Sequence, residues 1–358
     1  MILKRAKALK ILSFLIAIAL LTLGIAACGS GSKASKESTQ GATAAKVAES
    51  TTAGAKELVQ IKTYSRKNCT STPILVADKK GFFEAQGLKI EYTGEILKSA
   101  EILASVLKGN NDFADTHPNA LATFVAGGAK IKGVARSIIE PGSDVDPKYR
   151  HMRWYATEKS GIKTWDDLIN YKKGEKITSN GLAPQCTTFL LSTIFDKFKV
   201  GRDRISFVNF DTDQAALQAV EQGNIDIAGV HPTFYDLAES AGLVTIGDSS
   251  DAGLGEAAGV YLYYFTDDFI QNNPDTVQKF VNAVTKAQVW ANENPVEAAQ
   301  ITSDNNGVKT TGSHYYSTTT EIPEAQIKPW IDDLIVNGKL KENQVPLANL
   351  ITHKFEVK

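Results

Sequence analysis

The feature that most constrains this chain is a short pattern that occurs twice. Residues 112–118 and residues 226–232 both read as an acidic residue, an apolar residue, Ala, two variable positions and then His-Pro. Each copy is preceded by a Cys-Thr pair: Cys69 stands 48 positions before the first histidine, and Cys186 stands 45 positions before the second. Two echoes in the same order at nearly the same spacing predict two lobes of similar topology.

The His-Pro pairs also predict a local structure. In both copies a short apolar run ends where Pro118 or Pro232 would occupy the first position of a helix, at which the missing N–H of proline costs nothing. His117 and His231 would then be N-cap residues at strand-to-helix turns. In an open α/β sheet such turns lie at the carboxyl ends of strands, where ligands bind, and helix starts favour anions.

Length and charge limit the function classes. A chain of 358 residues is long enough for two domains with sizeable cores. The formal net charge is −1, and it becomes −5 when the basic residues 1–27 are left out. A nucleic-acid partner would require a basic face, so this balance argues against one.

The amino terminus has the composition of an export signal. Residues 1–27 combine a basic start with an apolar run, which is short for a membrane span, and they end in Ala-Ala before Cys28. That ending resembles the lipobox of bacterial lipoproteins, which implies cleavage before Cys28, its lipidation, and anchoring on the outer face of the cytoplasmic membrane. An ordinary secretory signal is the alternative. Residues 28–57 are rich in Ser, Thr, Ala, Gly and Lys and predict a flexible tether.

The globular body begins at about residue 58. Apolar runs with strand composition alternate with segments of helical periodicity along most of its length, which predicts an α/β fold with mostly parallel sheets. The last hundred residues are mostly helical in pattern, and their apolar stripes predict packing faces.

Three segments of the body resemble the solute-binding proteins of ABC importers in the nitrate/sulfonate/taurine family: Pro73 to Leu88, Ser160 to Leu168, and Trp290 to Ala299. The resemblance implies a type II periplasmic-binding-protein fold, with two α/β lobes, two crossings and a ligand cleft between them. It places residues 58–150 and 255–358 in lobe 1 and residues 151–254 in lobe 2.

The resemblance also implies where the ligand binds, namely in the turns after the first and third strands of each lobe. The repeat points to the same turns independently. The expected ligand-binding residues are Arg66, Asn68, Cys69, Thr70, Ser71, His117, Asn119, Gln185, Cys186, Thr187 and His231.

The function implied is capture of a small oxyanion, such as an alkanesulfonate, taurine or nitrate, by lobe closure and delivery to membrane permease subunits. We expect an exported, lipid-anchored monomer without a cofactor and without enzymatic activity. A surface sensor that presents its closed form to a receptor is an alternative. An enzyme related to the fungal pyrimidine-synthesising proteins is another, although the chain lacks their Cys cluster and has no phosphate loop or Ser-His-Asp spacing.

The Cys and His residues leave other ligands open. Cys69, His117, Cys186 and His231 could form a soft-metal set, or could bind a metal chelate, a thiol or a nitrogen heterocycle such as a thiamine precursor. The plainer interpretations are two small buried thiols, a disulfide between them, and two structural N-caps. Three aromatic residues are candidates for stacking on a heterocycle, although each is more typical of a core: Trp154, Phe234 and Tyr235.

Overall fold

The computed structural model describes residues 57–65, 69–96, 98–181, 184–307, 309 and 312–357, without the side chains of Cys69 and Ser99. The expected signal, the lipidated Cys28 and nearly all of the tether lie outside the described residues. The described part of the chain forms one compact unit. None of its helices is both long enough and apolar enough to cross a membrane.

Strands and short helices alternate along most of the described chain, and the final third is mostly helical. The strands are β1 Val59–Ser65, β2 Leu88–Glu95, β3 Phe113–Thr116, β4 Ile131–Arg136, β5 Ile138–Ile139, β6 Arg153–Thr157, β7 Ile177–Asn180, β8 Ile205–Val208, β9 Ala228–Val230, β10 Leu243–Asp248, β11 Leu262–Thr266 and β12 Tyr315–Tyr316. The α-helices are α1 Thr72–Lys79, α2 Phe82–Ala85, α3 Ser99–Leu107, α4 Pro118–Ala126, α5 Asp167–Asn170, α6 Cys186–Lys197, α7 Asp213–Glu221, α8 Tyr235–Ser240, α9 Asp267–Asn272, α10 Pro274–Glu293, α11 Pro295–Asn306, α12 Glu324–Val336 and α13 Leu347–Leu350.

The strands pair in two groups that do not share a ladder among the described residues. In the first group β1 pairs with β2 in parallel, β11 lies between β3 and β4, and β5 pairs with β12. In the second group β7 pairs with β8 in parallel, and β6 lies between β9 and β10. A parallel bridge between Ser179 and Ile227 joins the two parts of the second group. The α/β class predicted from the sequence is confirmed.

The antiparallel strands explain how the groups are connected. β6 and β11 are the first strands after the two passages between the groups, and each runs antiparallel to both of its neighbours. β3 and β4, which both flank β11, therefore share one direction, as do β9 and β10 around β6. The sheets combine parallel neighbours with one inserted strand of opposite direction in each group.

The chain passes between the groups twice, through residues 140–152 and residues 249–261. These two segments, called the crossings below, lie against one another at Gly259: a Cβ there would come within 2.5 Å of the Glu140 backbone nitrogen and 2.6 Å of the Ile139 carbonyl carbon. Only glycine permits so close an approach of two backbones. The crossings are therefore packed together rather than separate linkers.

The largest core of the first group is centred on Phe280 of α10. Its side chain is fully buried, and its ring centroid lies 4.4 Å from that of Phe113, 5.2 Å from Phe265 and 5.3 Å from Tyr263. Rings at such distances and tilted angles add to the burial free energy. The C-terminal helices therefore hold the first sheet group together.

We expect Phe280→Ala to lower the free energy of unfolding by about 3–5 kcal/mol, because it removes this ring and leaves a cavity among the others. Urea unfolding followed by circular dichroism measures the change. The matched control is Val336→Ala on α12, whose side chain is 70% exposed and should change stability by less than about 0.5 kcal/mol. Equal effects of the two substitutions would contradict this view of the core.

Candidate ligand site

Four of the five histidines in the chain gather around one thiol. This group, called the His/Cys cluster below, consists of His117, His151, Cys186, His231 and His314. Four of its members are at most 6% exposed, whereas the His231 side chain is 24% exposed. A dense set of buried metal-ligating and titratable side chains makes this cluster a candidate functional site.

Each member of the cluster comes from a different part of the chain. His117 follows β3, Cys186 is the first residue of α6 and His231 follows β9, so these three stand at the turns that the repeat predicted. His151 lies at the end of the first crossing, next to β6. His314 immediately precedes β12, and Gly312 beside it packs against Pro232. Both sheet groups and a crossing contribute to one site.

The potential ligand atoms of the cluster lie close together. The ligand atoms of His117, His151 and Cys186 are all within 4.8 Å of one another. The Cys186 Sγ is 3.5 Å from the His231 Nε2. His314 stacks on His151 with ring centroids 4.9 Å apart, and its centroid lies 5.7 Å from that of His231.

His117 is held in a fixed orientation. Its Nδ1 donates a hydrogen bond of 2.8 Å to the carbonyl oxygen of Val260, which leaves Nε2 as the other ring nitrogen. Its ring stacks on Trp330 at 4.8 Å and meets Tyr261 edge-on at 4.3 Å. The predicted N-cap backbone position of His117 is confirmed, but its side chain does not cap the helix. Instead, the ring turns into the cluster.

His231 is oriented by a carboxylate. Asp213 Oδ2 accepts hydrogen bonds from the His231 Nδ1 at 2.7 Å and from its backbone N–H at 2.9 Å. Burial alone would lower the pKa of His231, but the charges of Asp213 and the Cys186 thiolate raise that pKa well above its ordinary value. Since Nδ1 faces Asp213, Nε2 faces the thiol.

Cys186 is poised to ionise. Burial alone would raise the pKa of its thiol, but the nearby imidazoles, chiefly His117 and His231, lower that pKa well below its ordinary value. A thiolate is the form of cysteine that binds metals and acts as a nucleophile.

His151 is the least satisfied member of the cluster. Its side chain is 1% exposed, and neither Nδ1 nor Nε2 makes a hydrogen bond of normal geometry among the described residues, although the nearby Cys186 thiol partly offsets the effect of burial on the pKa of the ring. Burial lowers the pKa of His151 to about 4, so the neutral ring is favoured. Leaving a buried polar group without a partner costs about 1–3 kcal/mol.

The backbone of His151 is held by the buried Glu140 of the same crossing. Glu140 accepts hydrogen bonds from the His151 N–H at 3.0 Å and from Ser249 Oγ of the second crossing at 2.6 Å. Arg150 lies 3.4 Å from the other carboxylate oxygen. Burial dominates these partners and raises the pKa of Glu140 to about 7. Glu140 therefore ties the two crossings to the cluster.

The other predicted site residues occupy neighbouring turns. Asn119 is 2% exposed and donates a hydrogen bond of 3.4 Å to the carbonyl oxygen of Gln185, which links the start of α4 to the start of α6. Thr187 and Thr70 are buried, and Ser71 is partly exposed. Arg66 and Asn68 lie outside the described residues, and of Cys69 only the backbone is described. Their ligand-binding roles remain predictions.

The structure bears on the disulfide and on the aromatic stacking residues that the sequence left open. Cys186 is a free thiol, so the disulfide with Cys69 is not present in this structure. Trp154 is fully buried and packs on Trp165, and Tyr235 is buried with its hydroxyl donating to the Arg150 carbonyl oxygen. Both aromatic residues are therefore core residues here, and Phe234 packs on a core as well.

A small cavity lies beside the predicted turn after β1. It is lined by Tyr64, Ser71 and Asp115 among others, and its volume is about 20 Å³, which is enough for a single water molecule. A more open concavity is lined by Lys172, Lys176 and Arg204. The first is too small for a solute, and the second is lined by none of the ligand-binding residues predicted from the sequence, so the His/Cys cluster is the stronger candidate.

Sequence reasoning missed two members of the cluster. His151 and His314 belong to no repeat, and neither follows a strand in the pattern that marked His117 and His231. The available signal was the scarcity of histidine, since 358 residues contain only five. Their convergence depends on how a crossing and a late segment of the chain pack, which no local pattern reports.

We expect Asp213→Asn to lower the pKa of His231, because it removes the neighbouring negative charge. The imidazole proton shifts, followed by NMR as a function of pH in chelator-treated protein, measure the change. His353 is the internal control, because its pKa is raised by hydrogen bonding to Glu356 and should not move. An unchanged pKa of His231 would show that Asp213 does not control its protonation.

Glu140 should make stability pH-dependent. Its pKa in the folded state, about 7, lies above the unfolded value of 4.5, so the folded protein binds this proton more tightly. Its contribution to the free energy of unfolding is therefore complete below pH 4.5 and falls by about 3 kcal/mol as the pH rises to 7.

The difference between wild-type and Glu140→Gln unfolding curves isolates this effect, since other titrating groups contribute to both proteins. Urea midpoints between pH 4.5 and 7 should fall more steeply with rising pH in the wild type than in the variant. Parallel curves would mean that Glu140 is ionised throughout this range.

Residues 68–298 match the family described as NMT1/THI5 like. Among curated protein sequences, none matches the chain. Many solved structures share its fold, and three of them indicate the range of proteins concerned.

The periplasmic aliphatic sulphonate-binding protein SsuA of Escherichia coli is 17% identical, covers 84% of this chain and 94% of its own, and has a TM-score of 0.64. The zinc-bound ligand-binding component of an ABC-type import system from Staphylococcus aureus is 15% identical over 83% of this chain and 98% of its own, with a TM-score of 0.62. The desulfurization enzyme DszB is 13% identical over 83% of this chain and 97% of its own, with a TM-score of 0.57. The periplasmic-binding-protein fold predicted from the sequence is confirmed.

Proposed function

Because the chain belongs to the NMT1/THI5-like family and has a periplasmic-binding-protein fold, we propose that it is the extracytoplasmic solute-binding component of an ABC importer. It captures a small ligand at the His/Cys cluster and delivers the ligand unchanged to membrane permease subunits. The fold alone does not distinguish binding from catalysis, since DszB shares it. The composition of the site therefore decides between the two functions.

The observation that favours capture is the origin of the cluster in both sheet groups. His117 belongs to the first group, whereas Cys186 and His231 belong to the second. A ligand that touches all three stabilises the state in which the groups are close together, by its additional contacts in that state. We propose that the groups correspond to lobes, formed by residues 58–150 with 255–358 and by residues 151–254.

The crossings suit a movement of this kind. They lie side by side at Gly259, and Glu140 links them through Ser249 and the His151 backbone. Lobes connected by two adjacent segments can rotate about them as a hinge while the sheets stay intact. Asn119 and the Gln185 carbonyl, which are joined by a hydrogen bond, would separate on opening.

The charges at the cluster favour a cation or a neutral ligand over an oxyanion. The sulfonate expectation rests on relatives such as SsuA and on the buried Thr187 at the start of α6. In this chain, however, Asp213 places a carboxylate next to His231 and Cys186 favours the thiolate, so that even with a protonated His231 one net negative charge remains to repel a sulfonate or nitrate. The zinc-bound relative from Staphylococcus aureus is consistent with a different ligand in the same fold.

We further propose that the protein is exported and acts as a monomer tethered to the outer face of the cytoplasmic membrane through Cys28. A tether raises the effective concentration of the binding protein near its permease, which accelerates delivery without tight binding between the two.

Deletion of the gene for this chain in its native cell should abolish the high-affinity uptake of one solute, because an importer depends on its binding component. Depletion of solutes from the medium is measured by mass spectrometry for organic compounds and by elemental analysis for ions. A plasmid copy of the wild type should restore uptake, and a copy carrying Cys186→Ser should not.

The matched control is His353→Ala, which removes a histidine outside the cluster and should restore uptake like the wild type. The melting temperature of purified Cys186→Ser protein shows whether that variant is folded. Uptake of every measured solute at the parental rate after deletion would contradict an import function.

A further inference from the structure

We propose that Cys186, His117, His151 and His231 form a four-ligand site for a single soft or borderline transition-metal ion, Zn²⁺ or Cu⁺, and that this ion is the captured solute. That the ion is transported depends on the proposed import function, whereas the metal site itself depends only on the geometry of the cluster. His314, stacked on His151, covers the site as a positioning residue.

The spacing of the ligand atoms fits a single ion. If the atoms of His117, His151 and Cys186 were all separated by the full 4.8 Å, a point equidistant from them would lie at 4.8/√3, or about 2.8 Å, from each. A carbon atom of an organic ligand does not fit at this central point in the plane of the three atoms. A metal ion does so after a modest contraction, since Zn–N and Zn–S bonds are about 2.0–2.3 Å long and the ligands of a tetrahedral zinc ion are about 3.3–3.6 Å apart.

The fourth ligand, His231, has that spacing from Cys186. The Cys186 Sγ and the His231 Nε2 are 3.5 Å apart, which is within the range expected for two ligands of one tetrahedral ion. Thiolate and imidazole ligands suit zinc and copper, whereas Mg²⁺ and Ca²⁺ require oxygen ligands.

Two of the imidazoles are supported as metal ligands usually are. A ligating histidine generally donates its second ring nitrogen to a carboxylate or a backbone carbonyl, which fixes its tautomer and its orientation. His231 donates Nδ1 to Asp213, and His117 donates Nδ1 to the Val260 carbonyl oxygen. In both rings the nitrogen that remains is Nε2.

The buried ring nitrogens of His151 support a bound ion independently of these distances. Both of its ring nitrogens are buried without a hydrogen-bond partner among the described residues, although the side chain is 1% exposed and faces the cluster. A buried imidazole in this condition is destabilising unless something binds it. A metal ion coordinated by one nitrogen would remove most of this cost.

The alternative occupant is a water molecule, which could also lie about 2.8 Å from three polar atoms. A water would not require the second ring nitrogens of His117 and His231 to be held by the Val260 carbonyl oxygen and by Asp213, whereas metal-ligating histidines are usually supported in this way. The orientation of these rings therefore favours the ion.

The ion and lobe closure would be coupled. Only the closed arrangement brings His117 of the first group to Cys186 and His231 of the second, so an open form would offer an incomplete set of ligands. Release of the ion then requires opening, as delivery to a permease demands.

The test begins with the full-length protein, purified in detergent from metal-replete cells without a chelator. Elemental analysis should find one zinc or copper ion per chain, and it distinguishes the two. After removal of the metal, loading with Co²⁺ should produce the intense visible bands of tetrahedral cobalt together with a thiolate charge-transfer band. Cys186→Ser should abolish the charge-transfer band.

Affinities from competition with a chelator locate the site. Cys186→Ser and His151→Gln should weaken binding by more than about 100-fold, and Asp213→Asn, which changes only a supporting group, by about 10- to 100-fold. His353→Ala should leave the affinity unchanged. Melting temperatures of the metal-free variants close to that of the metal-free wild type show that the substitutions act on binding and not on folding.

Three results would overturn the proposal: no stoichiometric transition metal, binding of Mg²⁺ or Ca²⁺ with equal affinity, or wild-type affinity in both Cys186→Ser and His151→Gln. The uptake experiment separates this proposal from the import function. If deletion abolishes uptake of an organic solute and the purified protein contains no metal, the import function holds and the metal site is refuted. A tight zinc or copper site in a protein whose deletion leaves uptake unchanged would reject import and sustain the site.

Discussion

The arrangement around the site depends on the burial of four imidazoles and one thiol against one another. The neutral imidazoles of His151 and His314 tolerate burial better than ions do, and the opposite charges favoured at Cys186 and His231 stabilise one another, but all of these groups still require partners for their polar atoms. Val260 and Asp213 provide partners for His117 and His231, whereas His151 has none among the described residues. The surrounding structure, from Trp330 stacked on His117 to Glu140 behind the His151 backbone, holds these rings in place.

The two crossings connect the cluster to both sheet groups. Glu140 contacts both crossings and holds the His151 backbone, so the same carboxylate belongs to the proposed hinge and to the support of the candidate site. Trp330 adds a third connection, because α12 places its ring between His117 and Phe189 of α6. The cluster is therefore connected to both sheet groups through packed side chains rather than through a flexible linker.

The fold was largely predictable from local patterns, and the site was predictable in part. Alternating strand and helix signals reported the α/β class, since hydrophobic periodicity reflects which face of each element is buried. The antiparallel insertion of β6 and β11 was not predictable, because strand direction depends on where the chain returns from a crossing. Likewise, the N-cap positions of His117 and His231 followed from proline chemistry, but the turning of the His117 ring toward Val260 followed from packing.

The sequence by itself determined the two similar halves, the His-Pro turns at the ends of β3 and β9, and the association of Cys186 with them. These features depend on short-range stereochemistry and on a repeat, both of which are visible in the order of residues. Only the tertiary structure decided that His151 and His314 join the same site. One lies in a crossing and the other just before β12, more than 160 residues further along, and their meeting is a consequence of long-range packing that leaves no periodic trace in the chain.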